Sequence, residues 1–197
     1  MRYAYMLLGI MTFIVFVGAF ILLDKKVVTP SLHNTNLNIS MSLTLTSPAF
    51  REGESIPSKY TCDGENISPE FTIQNIPEGT ESFVLVMDDP DIPDTVKQAR
   101  GIEKFDHWAL YNIPKDTRTL HEGELVGTLG LNSKGDALYT GSCPPDREHR
   151  YFFRLYALSG TLNFIKTPTL DELETAAQSM MLEKATLMGK YERVMIP

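Results

Sequence analysis

The chain has 197 residues, of which 43% are hydrophobic and 22% are charged, and this composition excludes a disordered or collagen-like protein. Its 18 basic and 25 acidic residues give a net charge of −7, and no run of Lys or Arg exceeds two residues, so we expect no nucleic-acid partner. Two cysteines are too few for a disulfide-framework fold, and the length fits one domain, or one domain with an appendage.

The first predicted element is a membrane-spanning helix. Residues 3–23 are 21 consecutive uncharged residues, and a helix of that length spans about 32 Å, which matches the hydrocarbon core of a bilayer. Asp24 and two lysines close the run, and no small-x-small cleavage pattern precedes them. We therefore expect residues 1–26 to anchor the chain in a membrane, with the folded domain exported. A cleaved signal segment and a secreted domain form the alternative.

The next segment, residues 27–41, is polar and contains a Thr-Pro-Ser turn and the run His-Asn-Thr-Asn. Such a composition buries little apolar surface, so this segment is predicted to be a tether. We expect the folded domain to occupy residues 42–197.

Within that domain, short apolar runs bounded by turn-forming residues predict β-strands. The predicted strands cover residues 43–45, 71–73, 82–87, 107–111 and 151–158. The intervening segments 88–106 and 114–137 are predicted to be long loops, which often carry function in compact β domains.

A helix is predicted only in the last quarter of the chain. Thr169 and Glu172 have the spacing of a capping box. Apolar residues then follow at helical spacing, at Leu170, Leu173, Ala177 and Met180 or Met181. The pattern as a whole predicts a mainly β domain with one or two helices.

Three short segments concentrate the residue types that carry chemistry. Asp88-Asp89-Pro90-Asp91-Ile92-Pro93 follows a strand, and its two prolines stiffen the chain around the carboxylates. Phe105-Asp106-His107-Trp108 places a histidine at the start of a strand. Gly141-Ser142-Cys143-Pro144-Pro145 precedes Glu148-His149-Arg150-Tyr151, where strand alternation puts His149 and Tyr151 on one face. Taken singly, each segment also fits a plain turn, a half-buried histidine or a hairpin rim.

In this order and at this spacing, the three segments resemble the phosphatidylethanolamine-binding protein family, also called Raf-kinase-inhibitor-like proteins. The resemblance covers residues 43–193 and is strongest to the bacterial and archaeal branch, whose hallmark stands here as Tyr60-Thr61-Cys62-Asp63-Gly64-Glu65-Asn66-Ile67-Ser68-Pro69. It implies two antiparallel sheets in Greek-key style with one or two peripheral helices, and a small anion-binding pocket. Residues 189–193 resemble the family's closing strand.

The resemblance also implies which residues form the pocket. Matching positions are Asp89, His107, Pro144, His149 and Tyr151, with Pro93, Asp91 and Ser142 at the rim. It places Cys62 and Cys143 near the same pocket, where a disulfide and two free thiols are both open alternatives. Eukaryotic members extend the C-terminus with a helix near the pocket, and this chain stops at Pro197, so we expect a more open pocket mouth.

The chemistry of these side chains suits a phosphate-bearing ligand. Two imidazoles and a phenol can donate hydrogen bonds to phosphate oxygens. Asp89 is expected to accept an N–H from a histidine and to favour the imidazolium, which would give a local charge near +1 with both histidines protonated. This predicts anion binding at His107, His149 and Tyr151 that weakens as the pH rises.

We therefore expect a non-catalytic binding module, without a cofactor, that recognises a small anionic ligand and has an inhibitory or signalling role. Two alternatives stay open. One is a hydrolase with Cys143 as nucleophile beside His149 and Asp89. The other is a metal site formed by Asp89, His107 and His149. The G-x-S-x-G and H-E-x-x-H signatures of serine hydrolases and zinc peptidases do not occur in the sequence.

Overall fold

The computed structural model describes residues 41–193. This part of the chain is mainly β, as predicted. Its strands are β1 (Thr44–Thr46), β2 (Phe71–Gln74), β3 (Ser82–Asp89), β4 (Phe105–Pro114), β5 (Thr119–Leu120), β6 (Thr128–Leu129), β7 (His149–Leu158) and β8 (Met181–Tyr191). Its α-helices are α1 (Asp94–Arg100) and α2 (Leu170–Gln178), and a short 3-10 helix covers Ser58–Tyr60.

The strands form two antiparallel sheets, which confirms the predicted architecture at that level. The smaller sheet has the order β1-β2-β5, and the larger has the order β6-β4-β3-β7-β8. The predicted anchor, residues 1–26, and nearly all of the predicted tether, residues 27–41, lie outside the described residues. Within residues 41–193, no helix is long and apolar enough to cross a bilayer.

Strand β3 lies at the centre of the larger sheet, and all eight of its residues are buried. One face of β3 presents Phe83, Leu85 and Met87 to a core shared with the smaller sheet. The other face presents Val84 and Val86 to a second core that contains the buried face of α2. A continuous apolar run is typical of a strand that is covered on both sides.

Three predicted elements differ from the structure. The predicted loop 88–106 contains α1, which begins after Pro93, has Asp94 in its first turn and ends at Gly101 in the left-handed conformation. This arrangement favours a short helix.

The predicted late helix ends at Gln178, and Met181 already belongs to β8. Strand β8 extends along β7 as far back as Met181, because this backbone ladder satisfies the polar groups of both strands. The predicted loop 114–137 includes the two-residue strands β5 and β6.

A bulge in β4 determines the direction of His107. Met87 pairs with Trp108 and Asp88 pairs with Asp106, so β4 has one extra residue, His107, at this point. The extra residue interrupts strict alternation. Trp108 packs in the core between the sheets, and the His107 ring also reaches this side, where it lies 5.3 Å from the Tyr151 ring between centroids.

Candidate functional site

A cavity of about 280 Å³ opens beside the end of β3. Its walls are mostly apolar and are formed by Ile92, Pro93, Val96, Phe105, Cys143 and Pro145. Its polar lining consists of Asp89, His107, Arg100, Lys134 and Thr140. Asp89 and His107 are 3% and 4% exposed, whereas Arg100 and Lys134 are exposed. We therefore call Asp89 and His107 the cavity floor, and Arg100 and Lys134 the cavity mouth.

His107 is oriented by the backbone of the neighbouring loop. Its Nδ1 lies 2.8 Å from the carbonyl oxygen of Thr140, so Nδ1 donates and carries the proton. Burial lowers the pKa of His107 to about 4. The ring is therefore neutral at pH 7, and its Nε2 is a hydrogen-bond acceptor. The expectation that both histidines of the site are cationic is wrong for His107, because burial disfavours the charged ring.

His149 lies behind the floor between two carboxylates. Its Nδ1 is 2.7 Å from Asp89 Oδ2, and its Nε2 is 2.8 Å from Asp146 Oδ1. A ring that donates from both nitrogens is an imidazolium, so Asp89 and His149 form a buried ion pair. Burial raises the pKa of Asp89, and the hydrogen bond from His149 opposes that rise. Both N–H groups of His149 are already used by carboxylates.

Two buried hydroxyl groups lie close to this pair. Tyr151 and Ser142 are fully buried, and neither hydroxyl has a hydrogen-bond partner among residues 41–193. Burial, and then the nearby Asp89 carboxylate, raise the pKa of the Tyr151 phenol above its usual range. The Tyr151 ring stacks on His149 with centroids 6.5 Å apart. Strand alternation places these two side chains on one face, as the sequence predicted.

The remaining residues predicted for the pocket and its rim do not all line the cavity. Pro93 lines the cavity and begins α1. Asp91 does not line the cavity; it forms a two-pronged pair with Arg150 at 2.7 Å, which lowers the pKa of Asp91 to about 2. Pro144 lies in a separate small cleft, and its neighbour Pro145 lines the cavity instead. The structure thus brings the predicted residues to one region, but only Asp89, His107 and Pro93 of the predicted pocket and rim line the cavity itself.

Cys62 and Cys143 form a disulfide in the structure. Cys143 also lines the cavity. A sulfur atom in a disulfide is not a thiolate nucleophile, so this geometry opposes the hydrolase alternative. The metal alternative also lacks support, because no group of three or more His, Cys, Asp or Glu side chains in residues 41–193 could hold a metal ion. His149 has no free ring nitrogen to offer.

The two cations at the mouth were not predicted from the sequence. Arg100 ends α1, donates from Nη2 to the carbonyl of Ser133 at 2.5 Å, and lies over the Phe105 ring at 5.5 Å from its centroid. Lys134 is on the loop that precedes Gly135. The sequence did contain a signal for the helix that carries Arg100, because Pro93, Asp94 and Gly101 mark the start and end of a short helix. Lys134 had no such signal.

Comparisons with known proteins point to one family. The sequence model of the phosphatidylethanolamine-binding protein family matches residues 46–192. A UPF0098 protein of Chlamydia pneumoniae is 43% identical over 150 residues, which cover 76% of this chain and 98% of that protein. A UPF0098 protein of the archaeon Methanothermobacter thermautotrophicus is 39% identical over 158 residues, covering 77% and 99%. The crystal structure of a putative homologue from Chlamydia trachomatis matches with a TM-score of 0.73 and 37% identity, covering 78% and 99%.

Proposed function

The chain belongs to the phosphatidylethanolamine-binding protein family, and from this premise we propose that its cavity binds a small phosphate-bearing or similar anionic ligand without converting it. The observation that carries the proposal is the cavity lining: apolar walls with two cations, Arg100 and Lys134. Neither cation has a carboxylate partner within 4.0 Å among residues 41–193. In a chain with a net charge of −7, anion binding must come from such local positive charge.

The absence of a suitable nucleophile in the cavity supports a binding role over a catalytic one. Cys143 is in a disulfide, and the Tyr151 phenol has a raised pKa and is fully buried. Both ring nitrogens of His149 are hydrogen-bonded to the carboxylates of Asp89 and Asp146, so neither nitrogen is free to act as a general base on water. An inhibitory or signalling role through a protein target is a further part of this proposal.

The test uses n-butyl phosphate as probe, with binding measured by titration calorimetry. We expect one site per chain. Val96 lines the cavity from α1, so Val96→Trp should fill it and weaken binding at least about tenfold, which is about 1.4 kcal/mol. Gln98→Trp is the matched control, because Gln98 is exposed on the same helix and outside the lining.

Two results would overturn the proposed function. The first is equal affinity in wild type and Val96→Trp, which would place the anion elsewhere. The second is release of inorganic phosphate from the probe by the wild type, because a non-catalytic module leaves the ester intact. Phosphorus NMR measures this release.

We also propose that the domain is exported and anchored in a membrane through residues 3–23. The 21-residue uncharged run supports this. The disulfide supports it further, since disulfides persist mainly in oxidising compartments.

A further inference from the structure

A second depression, of about 210 Å³, lies apart from the ligand cavity and shares no lining residue with it. Its apolar lining includes Ile67, Trp108, Leu125, Leu138 and Tyr139. The Trp108 and Tyr139 rings meet edge to face, with their centroids 5.4 Å apart. We call this site the leucine depression, because Leu125 and Leu138 are the most exposed members of its apolar lining.

The two leucines leave much apolar surface in contact with water. Leu125 is 58% exposed and Leu138 is 46% exposed. Four other large hydrophobic side chains in residues 41–193 are exposed, and none of them lines the leucine depression. Single exposed apolar residues are common on protein surfaces, whereas two that border one apolar depression are typical of an interaction site.

The loops that carry both leucines are held by hydrogen bonds. Before Leu125, the N–H of His121 donates to Glu124 Oε2 and the N–H of Glu124 donates to the carbonyl of His121, both at 3.1 Å. In the loop of Leu138, the side-chain oxygen of Asn132 accepts two backbone N–H groups, at 2.8 and 3.1 Å. A partner therefore meets preordered side chains, so little conformational freedom is lost on binding.

The rim of the leucine depression is acidic. Glu124 lines it, and Glu65 directly precedes Asn66, which lines it too. Neither Glu65 nor Glu124 has a cationic partner within 4.0 Å in the part of the chain that the structure describes. The nearby Lys59, whose carbonyl accepts the N–H of Asn66, is already paired with Glu122 at 2.6 Å. The negative charge of the rim is therefore complementary to a cation on a partner.

We propose that the leucine depression docks a partner protein through a segment in which a large aliphatic or aromatic side chain stands next to Arg or Lys. The apolar side chain enters between Leu125 and Leu138, and the basic side chain pairs with Glu124. The size is sufficient, because an apolar cavity of about 150 Å³ already holds a benzene ring. This surface is separate from the ligand cavity, so the inference does not depend on the proposed function.

The test uses three acetylated and amidated peptides as probes of the full chain: Gly-Arg-Leu-Arg-Gly, Gly-Glu-Leu-Glu-Gly and Gly-Arg-Gly-Arg-Gly. Binding is measured from the NMR shift of the indole N–H of Trp108, which is the only tryptophan of the chain and lines the depression. We expect the first peptide to bind at least about tenfold more tightly than either of the others, because it alone combines the apolar anchor with the cations. Equal affinity of the three peptides, or no binding of the first below about 10 mM, would overturn the proposal.

Variants at the two leucines test the apolar contact. Leu125→Ser combined with Leu138→Ser should weaken binding of the first peptide at least about tenfold, because the walls that contact the anchor are lost. Leu182→Ser is the matched control, because Leu182 is 42% exposed on β8 and does not line the depression. Its affinity should stay within about twofold of the wild type. All three leucines are exposed, so folding is preserved.

A second pair of variants tests the charge. Glu124→Gln should weaken binding of the first peptide about three- to fivefold, because it removes an exposed ion pair and keeps an oxygen that can accept the N–H of His121. Glu78→Gln changes the net charge equally at an exposed position outside the depression, and should change affinity less than about 1.5-fold. Equal effects of the two substitutions would show that Glu124 makes no specific contact and would contradict the proposed pairing.

Sedimentation velocity of the full chain in detergent distinguishes the proposed partner from a second copy of this chain. We expect the wild type and the double leucine variant to sediment alike in the absence of peptide. A dimeric wild type and a monomeric variant would show that the leucine depression joins two copies, and the proposed partner would be wrong.

Discussion

Asp106 and His107 are neighbours in β4 whose side chains lie on opposite faces of the sheet. Their pKa values are shifted in opposite directions. His107 packs against Tyr151 on the cavity side, and burial lowers its pKa to about 4. Asp106 lies on the α2 side near Lys104, at 3.4 Å. Burial raises the pKa of Asp106 to about 6, although Lys104 opposes the rise. The two groups therefore have opposite effects on how stability depends on pH.

The signs follow from proton linkage. Between about pH 6.5 and 4 the unfolded chain binds a proton at His107 that the folded chain does not, so acidification costs about 3 kcal/mol. Between about pH 6 and 4 the folded chain binds a proton at Asp106 that the unfolded chain does not, so acidification gains about 2–3 kcal/mol. In the wild type these two contributions largely offset each other.

We predict that Asp106→Asn reveals the contribution of His107 to the pH dependence of the free energy of unfolding. Between pH 7 and 4.5, the free energy of unfolding of Asp106→Asn should fall by about 2 kcal/mol more than that of the wild type, because the substitution removes the stabilising protonation of Asp106 and keeps the destabilising protonation of His107. Urea denaturation across this pH range measures the difference. Asp116→Asn is the control, as Asp116 is exposed in a turn, and its curve should run parallel to the wild type. Parallel curves for Asp106→Asn as well would contradict the assignment.

At the scale of elements, the disulfide joins the segment after the 3-10 helix to the loop that forms one cavity wall. Three hydrogen bonds hold the same two segments together: Cys62 N to Ser142 O at 3.1 Å, Gly141 N to Asn66 Oδ1 at 2.7 Å, and the Tyr139 hydroxyl to Tyr60 O at 2.8 Å. The wall is therefore held by more than its covalent link. Stability and ligand binding should respond differently to the loss of that link.

We predict that Cys62→Ser combined with Cys143→Ser lowers the free energy of unfolding by about 3–4 kcal/mol. The two cysteines are 81 residues apart, and opening so long a loop increases the entropy of the unfolded chain. Affinity for n-butyl phosphate should change less than about threefold, because the three hydrogen bonds remain. Reduction of the wild type should reproduce the loss in stability. Two thiols titrated in denatured, non-reduced protein would show that the bond is not formed in solution.

At the scale of the whole molecule, the larger sheet packs against a hydrophobic core on each of its two faces. Strand β3 divides them, so successive residues at its end, Asp88 and Asp89, belong to different environments. Asp88 pairs with Arg154 and lies 3.6 Å from Lys104 on the α2 side. Asp89 pairs with His149 on the cavity side. The cavity thus forms at the open end of the core between the sheets, where apolar packing ends and the Asp-Pro turn begins.

The membrane anchor stays a prediction at this scale. If residues 3–23 hold the chain in a membrane, the protein purified from membranes should retain an N-terminus before residue 23. Intact-mass measurement of the detergent-extracted protein gives that position directly. A mature N-terminus after residue 23 would contradict the anchor and favour the secreted alternative.

The sequence by itself determined the strands β1, β2, β3, β4 and β7, the α2 cap and the family. Apolar runs such as 82–87 and the capping box at Thr169 and Glu172 depend on local spacing, and local spacing is readable without a structure. The ordered Asp-Pro, His and Gly-x-x-Pro-Pro segments identified the family for the same reason. Alternation along β7 likewise predicted that His149 and Tyr151 share a face.

Only the tertiary structure decided the charge and lining of the cavity. The bulge that turns His107 toward the cavity arises from its pairing with β3, and the low pKa of His107 arises from burial beneath distant segments. Arg100 and Lys134 line the same cavity although 34 positions separate them. Desolvation and cross-chain contacts depend on what covers a residue, and that information is not contained in the residue's immediate neighbours along the chain.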